Sequence, residues 1–169
     1  MKRIRTAVVG CGAISDIYLK NLKNSFSVIE LAGCCDLDIA RRDAAAEKYE
    51  IKAMTMEEIL ADKSIELVVN LTNPKAHFAV IKQLLEGGKN VYTEKVLSIE
   101  LAEAEELVRI ANERHLYLGA APDTFLGCAI QTARLAVERG MIGQVTSCVA
   151  QNGRDYNMMG QLVPFIPQR

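Results

Sequence analysis

The chain has 169 residues, half of them hydrophobic and 24% charged, with a formal net charge of -1. That length allows one domain with a real core, or one domain and the beginning of a second, and the charge balance offers no basic surface for nucleic acid. No apolar run is long enough to span a bilayer, and the apolar part of the start, MKRIRTAVVG, is too short for the core of a signal peptide. The five cysteines, Cys11, Cys34, Cys35, Cys128 and Cys148, are odd in number and lack CxxC spacing, so neither a disulfide framework nor a metal site is indicated. Each lies in an apolar segment and is expected to act as a small hydrophobe. Together these features point to the reducing cytoplasm.

In chain order, Ile4 to Val9 is a short apolar run closed by glycine, which predicts a buried strand. Ile14, Ile17, Tyr18 and Leu22 recur at helical spacing. Val28 to Cys35 is a second strand ending at Asp36, and Ile39 to Tyr49, rich in Ala, Arg and Glu, is a helix. Thr55 and Glu58 have capping-box spacing for a short helix through Leu60. Ile65 to Leu71 is a third buried strand. Asn73-Pro74 is an N-cap with proline at the first helical position, opening a helix that Gly87-Gly88 stops. Asn90 to Thr93 is a strand, Leu101 to Ala111 a helix capped by Ser98, and Leu116 to Ala121 a strand. Beyond Pro122 a long helix is expected over Thr124 to Arg139, with Leu126, Ile130, Ala133 and Val137 on one face, then a strand over Val145 to Ala150 and a weakly patterned tail. Strands alternating with helices predict parallel βαβ units, hence a doubly wound α/β sheet of Rossmann type.

Gly10-Cys11-Gly12-Ala13-Ile14-Ser15 follows the first strand and opens the first helix. In that setting Gly10 permits the tight turn, Gly12 lets backbone approach a pyrophosphate, and the third position must be small for helix and strand to pack. Ser15 is slightly larger than the usual Gly or Ala there. The helix N-terminus around Ala13 and Ile14 adds unpaired N–H groups and a partial positive charge. Asp36 ends the second strand about twenty residues further on, where a carboxylate can accept from the adenosine ribose hydroxyls. It would repel a 2′-phosphate, so NAD is favoured; Arg41 and Arg42 leave NADP possible. A methyltransferase using S-adenosylmethionine would share this turn and acid.

The runs Leu71-Thr72-Asn73-Pro74-Lys75-Ala76-His77 and Gly88-Lys89-Asn90-Val91-Tyr92-Thr93-Glu94-Lys95 resemble the Gfo/Idh/MocA oxidoreductases, the family of glucose-fructose oxidoreductase and inositol dehydrogenase. Ala121 to Gly127 and Ile142-Gly143 resemble that family's crossover into its second domain, and the likeness covers residues 3 to 150. It implies a nucleotide domain over residues 1–122, then, over 123–169, a crossover helix and the start of a truncated second α+β domain. The family's second domain carries a glycine-rich turn followed by a catalytic Asp and His; this sequence has only His77 and His115, both in the nucleotide domain. The chain alone is therefore expected to be incomplete for turnover. One departure is Glu94-Lys95-Val96 where the family has proline last; a non-proline cis bond costs about 2.5–4 kcal/mol, so a trans bond is expected before Val96.

Lys95, just past a parallel strand's carboxyl end, can donate a hydrogen bond to a substrate hydroxyl and stabilise developing oxyanion charge. The resemblance implies that catalytic role, and implies that Glu94 contacts the nicotinamide ribose. Thr72 and Asn73 should face the cofactor's central part, although Asn73 is equally explained as a helix cap. His77 is a further cofactor-side candidate, better read as a packing or hydrogen-bonding residue than as a catalyst. Three functions remain open: a dehydrogenase moving hydride between NAD(P) and a carbinol carbon of a sugar, cyclitol or polyol; an NAD-binding module or sensor; and the methyltransferase. An unpaired strand at Val145 to Ala150 also predicts a homo-oligomer.

Overall fold

The alternating pattern of the sequence folds as βαβ units. The computed structural model describes residues 2–122 and 124–149. Strands β1 (Ile4–Val9), β2 (Ile29–Cys35), β3 (Lys52–Ala53), β4 (Leu67–Asn70), β5 (Asn90–Thr93) and β6 (Leu118–Ala120) form one parallel sheet in the order β3-β2-β1-β4-β5-β6. Between them run α1 (Ser15–Asn24), α2 (Ile39–Tyr49), α3 (Met56–Ala61), α4 (His77–Glu86) and α5 (Leu101–Glu113).

Side chains alternate across each strand, and the helices cover both faces. Ala7, Val9, Val68 and Val91 pack on one face with Ile81, Leu84 and Leu85 of α4 and Leu107 and Ile110 of α5. Val8, Cys34 and Val69 pack on the other with Leu19 and Leu22 of α1 and Ala46 and Tyr49 of α2. Each fully buried leucine contributes about 1.5–3 kcal/mol relative to exposure, so neither face is dispensable. From β1 the chain winds outward through β2 and β3, then returns to β4 on β1's other side. That reversal leaves a crevice beyond the carboxyl ends of β1 and β4, which is where open α/β sheets bind ligands.

Local sequence accounts for most boundaries. Asp38 caps α2, accepting from the amides of Ala40 and Arg41, and Thr55 and Glu58 form the full capping box of α3. Several expectations change. On α1 the buried residues are Ser15, Leu19 and Leu22, while Ile14 and Ile17 are exposed. The small third position of the glycine turn must face the strands, and that rotates the helix away from the larger isoleucines. The N-cap of α5 is Glu100, not Ser98; the Ser98 hydroxyl donates instead to the Glu103 carboxylate. β3 is only two residues long, too short to show a period of two in the sequence.

The described residues from Thr124 onward belong to a second unit. The expected single helix is a 3-10 turn at Thr124–Leu126 and a separate helix α6 (Cys128–Glu138), with Gly127 as N-cap in extended conformation. The expected strand at Val145 to Ala150 is not seen: residues 145–149 belong to no strand, and Ala150 lies outside the described residues. Cys128 and Cys148 are exposed, unlike the buried Cys11, Cys34 and Cys35. Among the described residues no helix is long and apolar enough to cross a membrane.

Candidate dinucleotide site

The crevice at the switch point is a cleft of about 470 Å³ whose wall includes Gly10, Gly12, Asp36, Arg41, Thr72 and Asn73. Gly10 has φ +100°, and a Cβ there would lie 2.6 Å from the Leu71 carbonyl carbon; the turn passes directly over the end of β4. At Gly12 a Cβ would meet nothing within 4 Å, so open space lies above the turn. Helix α1 begins without a side-chain cap at Ile14. The Ser15 amide donates to the Gly12 carbonyl at 3.1 Å, and helix N-terminal amides not used in that way are the kind of donors that hold a pyrophosphate. The Ser15 side chain turns inward and donates to the Gly12 carbonyl at 2.7 Å, so its extra atom is absorbed by the turn. Ala13 and Ile14 are exposed at the same rim. These features fit an anionic dinucleotide phosphate.

Asp36 reaches back across the sheet. One carboxylate oxygen accepts from the Cys11 amide at 2.6 Å and the other from the Asp38 amide at 2.8 Å. The acid thus ties the end of β2 to the glycine turn, and each oxygen keeps a lone pair for a ribose hydroxyl. Arg41 pairs with Asp38 at 3.2 Å on the cleft wall, while Arg42 pairs with Asp43 at 2.8 Å. Behind the turn, the hydrogen bond to Cys34 and burial push the Cys11 thiol well above the ordinary range. Cys11 is therefore a protonated core group rather than a nucleophile.

On the other side of β1, Asn73 acts as the cap foreseen for it, accepting from the Lys75 amide at 3.1 Å, and also lines the cleft. Thr72 donates its hydroxyl to Asn70 at 2.8 Å, and the Asn70 amide donates to Thr93 at 3.0 Å. Asn70 is fully buried and was missed by sequence reasoning; its only signal is a polar residue closing the run IELVVN. His77 is also fully buried, with Nδ1 2.5 Å from the Val96 carbonyl oxygen and Nε2 3.0 Å from that of Thr72. It therefore stands behind the cleft, joining the loops after β4 and β5, and does not line it.

The loop after β5 carries Glu94 and Lys95. Glu94 is largely buried and accepts from the Tyr18 hydroxyl of α1 at 2.6 Å. Its second oxygen accepts from the Lys95 amide at 3.1 Å and lies 3.8 Å from Lys95 Nζ. The Lys95 side chain is 69% exposed. The bond between Lys95 and Val96 is cis, contrary to the trans bond expected from the missing proline. The surroundings of the loop, anchored at Glu94 by Tyr18 and at Val96 by His77, override the intrinsic preference.

A parallel doubly wound sheet with an open glycine turn and an acid ending its second strand defines a dinucleotide-binding domain. Residues 4–121 match the oxidoreductase family with an NAD-binding Rossmann fold, and the chain belongs to that family, the Gfo/Idh/MocA oxidoreductases. An oxidoreductase of Schizosaccharomyces pombe is 34% identical over 150 residues, covering 86% of this chain and 40% of its own. Inositol 2-dehydrogenase of Salmonella typhimurium is 30% identical over 108 residues, 62% of this chain and 32% of its own. The structure of the WlbA dehydrogenase of Chromobacterium violaceum, in complex with NADH and UDP-GlcNAcA, superposes with a TM-score of 0.78 at 25% identity over 85% of this chain and 42% of that one. The chain thus spans about two fifths or less of the length of these relatives.

Proposed function

We propose that this chain holds NAD in the switch-point cleft and forms the cofactor-binding part of a dehydrogenase acting on a sugar, cyclitol or related polyol. The observation that carries the cofactor half of the reading is the open space over Gly12 beside the Asp36 carboxylate. Gly10, Gly12, Ala13 and Ile14 would cradle the pyrophosphate, Asp36 the adenosine ribose, Thr72 and Asn73 the centre, and Glu94 the nicotinamide ribose. Bound NAD supplies the hydride-carrying nicotinamide. Lys95 would donate to the substrate hydroxyl and stabilise charge developing on its oxygen. The substrate class rests on relatives named as inositol and UDP-N-acetylglucosamine dehydrogenases. Three buried free thiols accord with a cytoplasmic setting.

Titration tests this reading. NADH fluorescence should saturate, and S-adenosylmethionine should not compete. NADH should bind more tightly than NADPH, and Asp36→Ala should weaken NADH about tenfold, ~1.4 kcal/mol, while narrowing that preference. Tighter NADPH binding by the unmutated chain would refute the role given to Asp36. Because Lys95 stands largely in water, polyol oxidation by these 169 residues alone should be negligible.

Self-association is part of the same proposal. Leu126, Ile130, Val137, Met141, Ile142 and Val149 are all exposed, and apolar surface of that kind recruits partners. Light scattering should report at least a dimer; a monodisperse monomer at high concentration would dismiss it.

A further inference from the structure

The contact between Tyr18 and Glu94 joins two parts of the site that are 76 residues apart in sequence. Tyr18 sits on α1, one turn beyond the glycine motif, and is half-buried. Its hydroxyl donates to Glu94 at 2.6 Å, the short distance typical of a hydroxyl bonded to a carboxylate. The other Glu94 oxygen accepts from the Lys95 amide and faces Lys95 Nζ. Both oxygens of one carboxylate are therefore engaged, one by the helix that begins at the turn and one by the residue that follows.

The strand order gives this contact its place in the site. Asp36 ends β2, on one side of β1, and marks the adenosine half. β4 and β5 lie on β1's other side, so a dinucleotide lying across the switch point carries its nicotinamide half toward the loop after β5. Tyr18 touches that loop and is not among the residues lining the switch-point cleft itself. We propose that Tyr18 is a positioning residue: its hydroxyl holds the Glu94 carboxylate, and through it Lys95, over the nicotinamide-ribose half of bound NAD. This rests on the NAD-binding reading above.

Tyr18→Phe removes one oxygen and keeps the ring that packs on the core, so the fold should persist by circular dichroism. NADH affinity should fall about tenfold, equivalent to ~1.4 kcal/mol, with less enhancement of nicotinamide fluorescence. ADP, which lacks the nicotinamide ribose, should bind as tightly as before. In a Glu94→Ala background the same change should have no further effect on NADH, because the carboxylate it acts through is gone. A general structural role would weaken ADP and NADH together and add to Glu94→Ala; either result overturns the proposal, as does unchanged NADH binding. If the unmutated chain binds neither NADH nor ADP, the NAD reading itself fails and takes this one with it. If it binds both, only the assignment of Tyr18 is at stake.

Discussion

Gly12→Val is expected to cost more than tenfold in NADH affinity, at least ~1.4 kcal/mol, while leaving the fold unchanged. The two halves of that expectation have separate grounds. A Cβ at position 12 would meet nothing within 4 Å, and the residue does not need the left-handed conformation that favours glycine. A β-carbon is therefore accommodated without displacing the turn, and the melting temperature should stay within about 2 °C of the unmutated chain, less than ~1 kcal/mol for a chain of this size. The space valine fills is the space beside the uncapped start of α1. Anion binding there depends on close approach to backbone N–H groups, and a branched side chain keeps a phosphate at a distance. Gly12→Ala should have a smaller effect of the same sign. An unaltered NADH titration with an intact circular-dichroism spectrum would remove the pyrophosphate from this turn.

Much of this frame was legible in the residues because local rules and tertiary packing agree. β1 and β5 have the bounds read from the sequence, and β1 is closed by Gly10, whose φ of +100° leaves the strand conformation. The capping box at Thr55 and Glu58 forms as its spacing indicates, because both partners lie within one turn. Where long-range contacts decide, the sequence is silent. Nothing in the spacing of Ile14, Ile17, Tyr18 and Leu22 says that Ser15 must face the strands and leave Ile14 and Ile17 exposed. Nothing near Val96 says that His77 will meet its carbonyl, and the cis bond went against the intrinsic preference. His77 itself was grouped with cofactor contacts, yet burial puts it behind the cleft. The helical spacing of Tyr18 carries no sign of its partner Glu94, which lies 76 residues further along the chain. At Gly127 a residue that also suits a cap split one expected helix into a 3-10 turn and α6.

The acid of the site shows how binding and shape are joined. Asp36 is bonded to the Cys11 amide, so its removal would release the glycine turn as well as a ribose contact. The loss predicted for Asp36→Ala therefore mixes two effects, whereas Gly12→Val isolates one.

Gly10→Ala should do the reverse of Gly12→Val and damage the fold first. Position 10 has φ +100°, and an added Cβ would lie 2.6 Å from the Leu71 carbonyl carbon, 2.7 Å from its oxygen and 2.8 Å from the Thr72 nitrogen. All three are backbone atoms, so no rotamer change can relieve the overlap. The turn cannot slide away either: the Gly10 amide donates to the Cys35 carbonyl at 2.8 Å, and the Leu71 amide donates to the Val9 carbonyl at 2.7 Å. Alanine must therefore push β4 from β1 at the strand ends or twist the turn. A forced positive φ costs about 1–3 kcal/mol, and overpacking typically adds about 1–3 kcal/mol more. At roughly 2–4 °C per kcal/mol for a chain of this size, the melting temperature should fall by about 10 °C. NADH affinity should fall with it, because the displaced strands form the floor of the cleft. A melting temperature within about 2 °C of the unmutated chain would show that the turn does not press on Leu71.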